Sequence, residues 1–120
     1  MDHNTEQKFQ ELLKNLTEKF QGDGAMDLNS VLFLIGVQEV GHGFRKYSKE
    51  EKMNLMHVAI CTILEPYGFY KFTENDPDGW PHFEKVKNVP PINLQEQEAL
   101  LKEAALNYFS ENNLVDDLTI

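Results

Sequence analysis

The chain holds one cysteine, Cys61, so no disulfide forms within it, and such usage fits a reducing compartment. Positive charge is scarce as well: eleven Lys and Arg stand against twenty Asp and Glu, a formal net charge of -9. With no dense Lys/Arg cluster, that acidity repels phosphate backbones and anionic headgroups, so neither nucleic acid nor membrane is an expected partner. Long apolar runs are missing too. The longest stretch without a polar side chain is VLFLIGV, residues 31–37, far short of the ~20 residues that cross a bilayer. The first residues, MDHNTEQKFQELL, show neither the basic start nor the apolar run of a secretory signal. The expected location is cytoplasmic.

Catalytic fingerprints are equally absent. No G-x-S-x-G, P-loop or dinucleotide motif occurs, and Gly22-Asp23-Gly24 and Gly41-His42-Gly43 are too short to cradle a phosphate. No catalytic residue and no cofactor is expected on this reading.

What is present is an ordinary globular composition, 41% hydrophobic and 26% charged over 120 residues. That length predicts a single domain, 1–120, burying roughly two-thirds of its extended surface. Four segments carry helical periodicity. Phe9, Leu12, Leu13, Leu16 and Phe20 form one apolar stripe, with Asn4 and Gln7 as a capping box before it and QGDG at 21–24 after it. A second helix runs from about Asn29 to Val40, capped by Asp27, Asn29 or Ser30 and stopped by Gly41 and Gly43. It is apolar nearly all round, so it should be central, with Gly36 allowing close approach of a neighbour; a buried strand is the alternative for so short a run.

Ser48 and Glu51 make a capping box for the third helix, which Pro66 should end near Glu65. Its expected face is Met53, Met56, His57, Ile60, Cys61 and Leu64, widened by Leu55, Val58, Ala59 and Ile63. Asn93 with Glu96 caps the fourth, whose stripe is Leu94, Gln97, Leu100 or Leu101, Ala104 or Ala105, and Tyr108, with Asn112 or Asn113 as its stop. Between helices three and four, FYKFTENDPDGWPHFEKVK reads as a β-hairpin. The expected fold is mainly α (α+β): about four helices around one core, with a single β-hairpin between helices 3 and 4.

Asp76-Pro77-Asp78-Gly79 suits a type I turn residue by residue, followed by a glycine bulge. The resulting register pairs Asp76 with Trp80, Asn75 with Pro81, Glu74 with His82 and Phe72 with Glu84. It sets Lys71 opposite Lys85, a mild repulsion. Tyr70, Phe72, Trp80 and Val86 then share the face expected to pack on the helices, while Phe69 and Phe83 interrupt the polar one.

Metal chemistry has two candidate patterns. Glu74, Asp76, Asp78 and Gly79 echo the start of an EF-hand loop, but Lys85 stands where the bidentate Glu belongs and Pro81 interrupts the run, which favours a turn. Glu39-x-x-His42 has the spacing of helical di-iron ligands without a second such motif, which leaves a mononuclear site from Glu39, His42, His57 and His82. The bland readings are a core histidine at His57, a cross-strand His82–Glu74 pair, and Cys61 as a small core hydrophobe.

The function that fits best is a non-enzymatic domain working through protein–protein contact, with itself as a homo-oligomer or with another protein. The candidate contact residues are Tyr70, Phe72, Trp80, Pro81 and Phe83 on the hairpin, with its unpaired edge, and Ile120 at the end of NLVDDLTI. The alternative is a metal-binding protein or metal-dependent enzyme built on the Glu/His cluster.

Overall fold

The computed structural model describes residues 3–20, 26–41 and 46–112. They form α1 (His3–Phe20), α2 (Leu28–Val40), α3 (Lys49–Leu64), a 3-10 turn (Glu65–Tyr67), β1 (Tyr70–Asn75), β2 (Pro81–Lys85) and α4 (Leu94–Glu111). The fold is therefore mainly α, with one antiparallel hairpin between α3 and α4. No helix of the described residues is long and apolar enough to cross a membrane. Backbone contacts sort the chain into two units, Met1–Val31 with Pro91–Ile120, and Leu32–Pro90.

In the first unit α4 packs on α1. The stripe expected of α1 is its buried face at Phe9, Leu12 and Leu16; the Phe20 side chain and the QGDG loop lie outside the described residues. His3 is already helical, so Asn4 sits inside the first turn and not before the helix. Asn93 does cap α4, its side-chain oxygen accepting the Glu96 N–H at 2.7 Å. The buried face of α4 is Ala104, Ala105, Tyr108 and Phe109, whereas Leu94, first in the helix, is exposed. Asn112 ends α4, donating its N–H to Tyr108 O; Asn113 is outside the described residues. Lys102 reaches across to Glu6 at 3.0 Å and lies over the Phe9 ring.

Asp27 is the cap of α2: its Oδ1 accepts both the N–H and the hydroxyl of Ser30 at 2.9 Å, which holds its carboxyl below the ordinary range. The helix ends at Val40, before Gly41; Gly43 is outside the described residues. Within the second unit α2 and α3 touch backbone to backbone at Gly36. A Cβ there would overlap the Leu55 carbonyl. Around that contact Val37, Val40, Tyr47, Leu55 and Val58 form a buried cluster, with Phe33, Trp80 and Phe83 packed against it.

The capping box of α3 is present in both directions: Glu51 N–H donates to Ser48 Oγ at 3.1 Å and Ser48 N–H to Glu51 Oε1 at 2.9 Å. Its buried face lies within the expected one and is narrower. Leu55, Val58, Ala59, Cys61, Ile63 and Leu64 are inside, while Met53 is 64% exposed and His57 is exposed. Leu55, Val58, Ala59 and Ile63 recur at three- and four-residue steps and are purely aliphatic, so burying them costs no polar desolvation, unlike His57. Pro66 follows the end of α3, which stops at Leu64 with Glu65 as its C-cap, where it was expected to. It stands in the 3-10 turn, a position whose lost N–H costs little.

Candidate functional site

The hairpin begins with a tight turn built on Asp76. Its Oδ1 accepts the N–H groups of Asp78 and Trp80, each at 2.9 Å, and its backbone O accepts the Gly79 N–H at 2.9 Å. Gly79 has φ +87°, the left-handed conformation that the turn requires and that glycine adopts without strain. Asp76 N–H donates to Trp80 O at 2.8 Å, closing the ladder. The Asp76 carboxylate thus makes turn geometry, its Oδ1 spent on two N–H donors.

His82 is tied to this turn. Its Nε2 lies 3.0 Å from Asp76 Oδ2. Although Glu74 is its Cα partner across the strands, its ring meets Asp76, which corrects the expected His82–Glu74 pair. The Trp80 N–H, the His82 ring and the Asp78 N–H together hold the Asp76 carboxyl below the ordinary aspartate range.

From the turn to Glu74 the register is the expected one: Asn75 opposite Pro81 and Glu74 opposite His82. Beyond Glu74 it shifts. A bulge between Phe72 and Glu74 leaves Thr73 unpaired in the ladder, so Phe72 faces Phe83, not Glu84, and Lys71 faces Glu84, not Lys85. The shift replaces two like charges with opposite ones and sets Phe72 and Phe83 edge to face at 5.9 Å. The Thr73 hydroxyl steadies the bulge, donating to His82 O at 3.0 Å.

The bulge also changes which aromatics anchor the hairpin. Trp80 and Phe83 pack on the Val37–Leu55 cluster, and Phe69 is buried. Tyr70 and Pro81 are half-buried. Phe72 (41% exposed) and Val86 (57% exposed) face water, although both were expected on the packed face.

One further contact involves the strand edge. Phe72 N–H donates to Glu65 Oε2 at 2.6 Å, from the 3-10 turn below the hairpin. That short, charge-assisted bond ties the outer side of β1 to the end of α3.

The metal-site candidates lie on separate elements: Glu39 near the end of α2, His57 midway along α3, and His82 on β2, all exposed. His42 lies outside the described residues. Among the described residues no group of three or more His, Cys, Asp or Glu is placed to hold a metal ion. His57 Nε2 lies 3.6 Å from Cys61 Sγ. Cys61 is buried, and burial pushes its thiol pKa up to about 11, the opposite of what a nucleophilic thiolate needs. Ile120, like the rest of NLVDDLTI after Asn112, is outside the described residues.

Compared with protein families, curated proteins and solved structures, the chain matches none. Sequence reasoning missed Glu65 altogether, because a Glu before Pro66 reads only as a helix ending.

Proposed function

We propose that this protein is a non-catalytic contact domain that associates with a second copy of itself through the hairpin. The observation that supports this is the division of labour among the hairpin's apolar side chains. Trp80, Phe83 and Phe69 hold it against the helices, leaving Phe72 and Val86 as fixed, water-facing apolar groups. Exposed apolar side chains on a rigid element lose little entropy on binding and gain burial, on the order of 1.5–3 kcal/mol for each large one. Among the described residues no group of three or more His, Cys, Asp or Glu is placed to hold a metal ion, and burial raises the pKa of the one thiol to about 11.

The test is sedimentation of the native chain across a concentration series, together with affinity capture using the chain as bait. Reversible self-association is the expected result. A wild type that stays monomeric at every concentration sinks the reading, whatever it captures.

A further inference from the structure

The hairpin is a two-stranded sheet, so each strand has an outer edge that no described strand pairs. Exposed edges invite pairing with another chain unless something blocks them. On β2 Pro81 removes one outward donor, while Phe83, opposite Phe72, keeps its own. Asp76 and Trp80 form a hydrogen-bonded pair, so by alternation the next pair, Asn75 with Pro81, is non-hydrogen-bonded and its N–H positions point outward. Proline has no N–H to offer there. On β1 the outward donor at Phe72 is intact, and the Glu65 carboxylate occupies it at 2.6 Å.

We infer that Glu65 is a latch on the β1 edge, and that releasing it lets β1 pair antiparallel with β1 of a second copy. This rests on the reading of the hairpin as a contact surface and specifies how a further contact is held closed. The occupant follows from the strand's charges. Lys71 precedes Phe72 and Glu74 follows it, so two copies paired about Phe72 bring the Lys71 end of one against the Glu74 end of the other. Lys71 of one copy then stands opposite Thr73 of the other, one residue from its Glu74, so opposite charges are neighbours at both ends, and the two Phe72 residues exchange N–H and C=O groups. The carboxylate is a suitable latch because it is a side chain: it swings aside without unfolding α3 or the hairpin. The chain's net charge of -9 opposes any pairing of copies, which makes an unlatched edge more visible as salt rises.

The experiment compares wild type, Glu65→Ala, Glu65→Gln and Glu11→Ala by sedimentation velocity over a concentration series at ~0.15 M and higher salt. Amide exchange at Phe72 is followed in parallel. Gln keeps an acceptor oxygen, and Glu11→Ala removes one exposed charge elsewhere, so both should sediment as wild type. Glu65→Ala should gain a further, concentration-dependent association step and exchange its Phe72 amide about tenfold faster when dilute. Glu65→Ala sedimenting as wild type overturns the inference, as does equal association by Glu65→Gln or Glu11→Ala. Should Glu65→Ala fail to fold, the wild-type Phe72 amide decides: protection supports the latch, and exchange at an unstructured rate removes it. The contact reading fails separately, by a monomeric wild type in the same runs.

Discussion

Asp76 and Trp80 bond each other in both directions across the hairpin turn: the aspartate N–H reaches the tryptophan carbonyl at 2.8 Å, and its carboxylate accepts the tryptophan N–H at 2.9 Å. The same carboxylate takes the Asp78 N–H and the His82 ring. One short side chain therefore fixes the turn, the bulge-side histidine and the backbone of the residue whose indole packs on the core.

That arrangement sets an acid limit for the hairpin. The Asp76 carboxyl is held below its ordinary value, so its stabilisation is fully present above the unfolded pKa of about 3.9 and is lost as pH falls through the folded value. Fluorescence of Trp80, the chain's single tryptophan, should report loosening below about pH 4. Asp76→Ala should show the loosened signal already at neutral pH. An unchanged spectrum in that variant at pH 7 would refute the turn's dependence on Asp76.

At the α2–α3 crossing, Gly36→Ala should be among the most damaging single changes. The added methyl meets the Leu55 backbone carbonyl, which has no flexible end to swing away. Overpacking of this kind costs about 1–3 kcal/mol, read as a lowered denaturant midpoint.

The two N-caps give smaller, local effects. Ser48→Ala removes the hydroxyl that accepts the Glu51 N–H, and Asn93→Ala removes the acceptor of the Glu96 N–H. Each should lower stability by about 1 kcal/mol in chemical denaturation. Since Ser48 and Asn93 head different helices, the double variant should be close to additive.

Cys61 should be inert in the folded state. With its thiol raised to about 11 by burial, alkylating reagents at pH 8 should react only on unfolding. Labelling at the rate of a free thiol in native buffer would contradict the burial.

How much of this was readable in advance depends on how local each cause is. Ser48 with Glu51, Asn93 with Glu96, and Asp76 through Gly79 act within four residues, so their structures follow from the sequence directly. The bulge at Thr73 is a different matter. It is favoured by Lys71 meeting Glu84 and Phe72 meeting Phe83, contacts that exist only once the strands are paired. The face of α3 was similarly undecided, because Met53–His57 and Leu55–Val58–Ala59 offer overlapping stripes and only packing selects between them. On the hairpin Trp80 packs as expected, but Phe72 and Val86 are exposed where a packed face was expected and Phe69 and Phe83 turn inward, while the Glu65 contact leaves no local trace in the sequence.

The most direct test of the contact reading is sedimentation velocity of wild type beside a Phe72→Ser Val86→Ser variant, at matched concentrations and with folding checked by circular dichroism. The expected result is concentration-dependent association of the wild type and a folded, monomeric variant. A wild type that remains monomeric at every concentration, or a variant that associates as strongly, contradicts it.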